Sequence, residues 1–493
     1  MKMSVVLDTW HIRIKVFLIS LLLGIGMCTA KEQLSDNILA RVVNKEITVE
    51  EFMERSELTV RPNKFKDKRI TLNNLIIEKV LALEAQTHAK QFITPMYQNI
   101  LKGIKEQSMR ERLFNTMAVN KVKLDSSEIL HAYTLSKREY ELEFFTIKNR
   151  TIAKRIKSMI DTAQGMTDEI FQKVEEMVVE KPVHKVNFLD KDDDLLHNAL
   201  YTDPLKKDTV IGPLELQNGN YIVMKVLDWN DKILFGGEDE QIQWNEVKDK
   251  LYKIKTSELW RSYQMSVMKG KKIEFDKNIF NLLSEWAMKK YLGEKKEEDS
   301  LNYRMTEVPL PNPNVDMNAP FFSIDNKVWT IKDFKNEVSV HPLVYFTTDL
   351  DSANFKQQFE LAVLALMKDH YLTREAYKKH FDKDKTVKRA VEMWKDSFLA
   401  DDQAKNIVES ALTNGLVHAG DNVGKLEYWE SYLRTLQRKY SPDIQINYDA
   451  FNKISITKID MVAWYTGVPY PMVVPNFPFF YSSPDLDYVH KVN

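Results

Sequence analysis

The sequence predicts a mainly α-helical chain with a small inserted α+β domain, and three observations predict it. Apolar residues recur at helical spacing through most of the chain. That period gives way to alternation between about Tyr140 and Leu227. One pattern also occurs twice, as Asn44-Lys45-Glu46-Ile47-Thr48-Val49-Glu50-Glu51-Phe52 and as Asn326-Lys327-Val328-Trp329-Thr330-Ile331-Lys332-Asp333-Phe334, marking an internal repeat.

Each copy follows a short apolar run, and its Asn tolerates the left-handed backbone of a tight hairpin turn. Thr48 stands three residues before Glu51, and Thr330 three before Asp333, so hydroxyl and carboxylate can cap a helix start reciprocally. Each copy therefore reads as strand, turn, strand, helix. Leu72, Leu75, Ile76, Val80 and Leu83 then give one apolar helical stripe. A second helix is expected from about Met96 to Ala118, and Asp125 with Glu128 starts another through Tyr133.

Tyr140, Leu142, Phe144 and Thr146 alternate with their neighbours as a strand does. Helices over 152–160 and 168–178, short strands over 186–189 and 212–216, the turn signal Asn218-Gly219-Asn220 and a strand from Tyr221 to Leu227 complete an α+β module. Helical spacing returns with Val247, Leu251 and Ile254, to about Lys269. A closing pattern, Ile273-Glu274-Phe275-Asp276-Lys277-Asn278-Ile279-Phe280, reappears as Ile444-Gln445-Ile446-Asn447-Tyr448-Asp449-Ala450-Phe451.

The openings at Asn44 and Asn326 lie 282 positions apart and the closers at Ile273 and Ile444 lie 171 apart; the difference, 111, is the length of 125–235. The module thus reads as a guest in the first copy. The expected domains are 36–124 plus 236–285, the insert 125–235, a charged and proline-bearing linker 286–318, the second copy 319–456, and an aromatic, proline-rich tail 457–493. In the second copy Phe355, Phe359, Ala362, Val363, Leu366 and His370 share one helical face. Val387, Val391, Trp394 and Phe398 share another, and 401–412 reads as a separate shorter helix ended by Gly415. Pro469, Pro471, Pro475 and Pro478 keep the tail out of helices.

Lys2, Arg13 and Lys15 precede an apolar run over 16–27 and the small Ala30, the plan of an export signal over 1–30. The run is too short to span a bilayer comfortably. The alternative is lipid attachment at Cys28, the one cysteine. Loss of 1–30 leaves a chain without cysteine, suited to an oxidising, periplasm-like space. A net charge of −1 supplies no field for gathering phosphate backbones, which argues against nucleic acid as a partner. The histidines are scattered with no His-Glu-x-x-His, and Asp190-Lys191-Asp192-Asp193-Asp194 lacks the spaced ligands and Gly of a calcium loop. No metal ligand, cofactor or catalytic residue is assigned.

The order of these motifs resembles the SurA-like periplasmic chaperones with parvulin domains. Ile38 to Phe52 is similar to that family's N-terminal opening, and Leu72-Asn73-Asn74-Leu75-Ile76-Ile77-Glu78-Lys79-Val80-Leu81 to its next helix. Ile211-Gly212-Pro213-Leu214 followed by Gly219 to Leu227 resembles the end of a parvulin domain. The resemblance implies duplicated SurA N-terminal-like helical domains, a parvulin-like insert in the first, and unfolded exported or outer-membrane polypeptides as clients. It also implies prolyl cis/trans isomerisation, from which this sequence departs. Glu143-Phe144-Phe145-Thr146 stands where the first strand's His is expected, Tyr221 where the last strand's is, and the glycine-rich stretch has no counterpart.

Phe144, Phe145, Phe188 and Tyr221 are the candidate peptide-binding residues, the bland reading being strand residues that fill the module's core. The tail reads either as a segment docked on its own protein, packed onto the second copy, or as a partner-binding strip in extended conformation, self-inhibitory if it lies in a client groove. Three functions compete: a chaperone without fast isomerase activity, an active parvulin-type isomerase, and a structural envelope-assembly protein. Membrane proximity arises only through clients or the anchor at Cys28, and oligomeric state has no signature in the sequence.

Overall fold

The structure, a computed structural model, describes residues 34–59, 67–88, 95–148, 150–162, 173, 182–190, 194–216, 218–232, 236–293, 315–347, 350–457, 461, 463–486 and 488. The export signal, Cys28, the helix expected over 168–178 (Lys173 apart) and most of the linker lie outside the described residues. The chain is mainly α with a small α+β part.

The first hairpin joins β1 (Ile38–Val42) to β2 (Lys45–Thr48). Its left-handed residue is Val43, at φ +58°, rather than the expected Asn44. A β-branched residue there is strained by about 1–2 kcal/mol, and the Val43 N–H is held by the Asp443 carbonyl at 3.0 Å. Helix α1 (Val49–Glu57) starts where Thr48 Oγ1 accepts from the Glu51 N–H at 3.0 Å. Helices α2 (Lys68–His88) and α3 (Pro95–Met117) follow. The α+β part comprises α4 (Ser126–Leu135), β3 (Arg138–Ile147), α5 (Arg150–Thr162), β4 (Val183–Asn187), α6 (Asp194–Tyr201), β5 (Val210–Glu215) and β6 (Tyr221–Asp231). Next come α7 (Gly237–Met268), β7 (Glu274–Phe275) and α8 (Lys277–Gly293).

The second hairpin, β8 (Pro320–Ile324) and β9 (Lys327–Thr330), turns at Asp325 and Asn326, both left-handed, as the sequence predicts for Asn326. The chain continues through α9 (Ile331–Val340), α10 (Phe355–Lys378), α11 (Lys385–Thr413), α12 (Asn422–Tyr440), β10 (Ile444–Ile446) and α13 (Tyr448–Lys453). Helix α11 runs unbroken through the stretch read as two helices. No Gly or Pro interrupts 385–413, and Leu399 and Ala400, at the expected break, are buried.

The hairpins pair with the closers crosswise. β1 pairs with β10, Ala40 opposite Ile446 and Val42 opposite Ile444. β8 pairs with β7, Phe275 opposite Phe322. The sequence reading joined each closer to the opening of its own copy, 36–124 with 236–285. The two closers carry the same apolar alternation, so that pattern alone does not choose between the hairpins. Helix α3 sets Met109 and Leu113 against Leu372 and Ala376 of α10 and Val387 of α11, so it packs with helices that follow the second hairpin.

The chain accordingly divides into two compact units. One comprises Met1–His88, Asp396–Ala463 and Val474–Asn493; the other comprises Ala89–Lys395 and Trp464–Val473. The first has its core between Leu39, Val42, Ile47 and Phe52, Leu75 and Leu81 of α2, Leu433 and Leu436 of α12, and Phe451. In the second, Phe321, Phe322 and Trp329 pack with Phe280 and Leu283 of α8 and with Phe359 and Val363 of α10. The second unit also holds the antiparallel sheet of the α+β part, in the order β4-β3-β6-β5. Val247 and Leu251 of α7 belong to that module's core, so its packing continues past residue 235. Among the described residues no helix is long and apolar enough to cross a membrane.

Candidate functional site

The four aromatic residues singled out from the sequence do not converge. Phe144 and Phe188 pack on one face of the sheet with Tyr140, Leu200 and Tyr201. Phe145 and Tyr221 pack on the other, against Ala153 and Ile156 of α5. Successive strand residues point to opposite faces, so Phe144 and Phe145 cannot share a pocket. On the Phe188 side His197 sits with its ring 4.6 Å from Phe188 and its Nε2 3.1 Å from the Phe188 carbonyl. Burial, assisted by Lys250, pushes the imidazole down to about 4.

Side chains converge instead on the tail, which lies extended along α2 in the first unit. Polar residues on α2 that the single stripe would leave in water are buried: Asn73, Asn74 and Glu78 are 0 % exposed. Asn74 Oδ1 accepts from the N–H groups of Phe480 and Tyr481, each at 2.9 Å, and its Nδ2 donates to the Tyr481 carbonyl at 2.7 Å and to the Ile70 carbonyl at 2.9 Å. Asn73 Nδ2 donates to the carbonyls of Ser483 and Asp485 at 3.0 and 3.1 Å, and its Oδ1 accepts from the Tyr488 hydroxyl at 2.6 Å. Trp429 Nε1 donates to the Phe480 carbonyl at 2.8 Å, and the Tyr448 hydroxyl to the Leu486 carbonyl at 3.2 Å. Of the tail's apolar residues, Val474 and Phe477 are buried, and Leu486 and Tyr488 are buried within the first unit's core.

A layer of paired charges fixes the groove's floor. Arg55 holds both carboxylate oxygens of Glu78, at 3.0 and 2.7 Å, and its Nη2 also donates to the Asn476 carbonyl at 2.9 Å. Lys79 Nζ donates to Glu51 at 2.6 Å and lies 3.2 Å from Asp396, which also pairs with Lys45 at 2.5 Å. Burial alone would lower Lys79, but Glu51, Asp396 and Glu78 outweigh it and hold the ammonium above its ordinary range. Because its carboxylate is spent on Lys79, Glu51 does not complete the reciprocal cap expected with Thr48.

The second unit repeats the device on the other piece of the tail. Gln107 Nε2 donates to the Tyr470 carbonyl at 2.7 Å, and Gln107 Oε1 accepts from the Tyr470 N–H at 3.0 Å. The Tyr470 hydroxyl donates to the Val340 carbonyl at 2.5 Å. Gly103 gives the ring its room, since a Cβ there would stand 2.3 Å from the Tyr470 hydroxyl oxygen and 2.2 Å from the Val340 carbonyl oxygen. Beside it, burial would raise Glu106, but bonds from His341 at 2.6 Å and Tyr377 at 2.9 Å outweigh that and hold its carboxyl below the usual range.

The geometry is that of a binding site. Side-chain amides and one guanidinium engage main-chain groups of an extended segment, and Leu486 and Tyr488 of that segment pack into the first unit's apolar core. Sequence reasoning missed Asn73, Asn74 and Gln107. The available signal was the polar Asn73-Asn74 pair inside the apolar run from Leu72 to Leu81.

No family model matches the sequence, and no curated protein matches it. Among solved structures, the foldase protein PrsA from Streptococcus pneumoniae str. Canada MDR_19A is similar at 12% identity and a TM-score of 0.17, over 45% of this chain and 91% of that one.

Proposed function

We propose that this chain is an exported chaperone that holds extended stretches of unfolded polypeptide. The observation that carries the reading is the paired amide clamp: Asn74 bonds both N–H and C=O of Tyr481, and Gln107 both N–H and C=O of Tyr470. An amide used in this way reads main chain and ignores sequence, which a protein serving many clients requires. The resemblance of Ile38–Phe52 and Leu72–Leu81 to the SurA-like opening supports it. The proposed location is the periplasm, reached through the export signal over 1–30, with lipid attachment at Cys28 as the alternative.

The α+β insert adds surface rather than fast isomerisation in this reading. Rotation about X-Pro faces a barrier of roughly 20 kcal/mol, and the strand positions expected to carry the parvulin histidines hold Glu143 to Thr146 and a buried Tyr221.

Fluorescence anisotropy with a reduced, carboxymethylated globular protein as probe tests the proposal. Saturable binding of that unfolded probe is expected, with none of its folded, disulfide-bonded form. Equal binding of both forms, or of neither, overturns it. A proline-limited refolding assay is expected to show no acceleration. Crosslinking in cells is expected to capture many unfolded exported chains; one stoichiometric folded partner would favour an envelope-assembly protein instead.

A further inference from the structure

We propose that the groove on α2 is a docking site for extended, aromatic-bearing segments of other polypeptides, and that residues 474–486 with Tyr488 are its internal ligand, displaced when a client binds. This deepens the chaperone reading and rests on it. Asn73, Asn74, Arg55, Trp429 and Tyr448 all bond to the tail's main chain, which any extended segment can offer. The groove takes N–H groups from Phe480 and Tyr481, so Pro475, Pro478 and Pro484 forfeit nothing there. Selectivity comes from the apolar seats: Leu486 and Tyr488 pack inside, Phe477 is buried, and Phe479 points to solvent at 47 % exposure. The preferred ligand is therefore extended, tolerant of proline and marked by aromatic residues.

The tail is suited to leaving. It adds no strand to the sheet of the first unit, which is β10-β1-β2, so release breaks no ladder. A vacated groove exposes the apolar seats and the two buried amides, and another polypeptide restores both kinds of contact. A tethered tail competes at an effective concentration on the order of millimolar, which weakens every external ligand by the tail's occupancy.

The test uses the full chain and a fluorescein-labelled synthetic peptide of residues 474–488. Phe477→Ala with Leu486→Ala loosens the built-in tail without touching the groove. The labelled peptide is expected to bind this variant at least about tenfold more tightly than the unsubstituted chain, and adding Asn74→Ala is expected to abolish the gain. A folded loosened variant that binds no more tightly overturns the proposal, as does indifference to Asn74→Ala. Should the variants lose their helical circular dichroism, hydrogen exchange on the unsubstituted chain decides. Saturating unlabelled peptide is expected to speed exchange at the Phe480 and Tyr481 amides, and unchanged exchange overturns the proposal. The reduced, carboxymethylated probe separates the two readings. If it binds equally with the tail loosened or intact, competition is refuted and the chaperone reading stands. If the tail peptide binds but the unfolded probe binds no form, the groove stands and the chaperone reading falls.

Discussion

Asn73 and Asn74 interrupt an apolar run, and burial turns that interruption into recognition. A buried amide left without partners costs about 1–3 kcal/mol, so the tail main chain around them contributes to the helix as much as the helix holds the tail. His197 makes the same point about burial with a titratable group. Its folded value is about 4 against roughly 6.5 in an unfolded chain, so between those values the unfolded state binds more protons. The contribution to stability is complete above the upper value and is lost as pH falls toward the lower one. Urea unfolding of the second unit is expected to weaken by about 2 kcal/mol between pH 7 and pH 5, and His197→Gln is expected to remove most of that loss. An unchanged slope in the variant would assign the titration elsewhere.

At the scale of elements, the two hairpin-to-helix junctions share a sequence pattern but not a set of bonds. Thr330 and Asp333 make the full reciprocal cap: Thr330 Oγ1 accepts from the Asp333 N–H at 3.1 Å and Asp333 Oδ2 accepts from the Thr330 N–H at 3.0 Å. That arrangement holds the Asp333 carboxyl below its ordinary range, through the bond from the Thr330 N–H first. Thr330→Ala is expected to destabilise the second unit by about 1 kcal/mol, read as a lower denaturation midpoint at unchanged slope. At the first junction Glu51 turns to Lys79 instead. Propensity and pattern predict such junctions because capping is local, whereas the partner of a carboxylate is chosen by whatever the fold brings within reach.

At the scale of the molecule, each hairpin is completed by the closing strand that the sequence pattern assigns to the other. The first opening is completed by β10 and the second by β7. The insert sits within the second unit and its packing reaches into α7. Tyr252 and Lys255 of that helix donate to the carbonyls of Val119 and Lys123, at 2.9 and 3.2 Å, so residues 124 and 251 flank a natural junction. Replacing 125–250 by a short Gly/Ser linker is expected to leave a folded, helical chain, checked by circular dichroism and hydrodynamic size. Global unfolding of that chain would show that the module is integral to the second unit.

The sequence by itself determined both hairpins, most helices, the alternating strands of the α+β part and the non-helical course of the described tail residues. These follow from periodicity, turn residues and caps that act within a few positions along the chain. Only the tertiary structure decided which closer completes which opening, because the two closers share one apolar alternation and strand pairing is made beyond the reach of local pattern. It also decided where the candidate site lies. The aromatic residues that alternation made conspicuous went into two faces of a core. The tail and the Asn73-Asn74 pair, some four hundred positions apart in the chain, came together because a buried amide and an extended main chain satisfy one another.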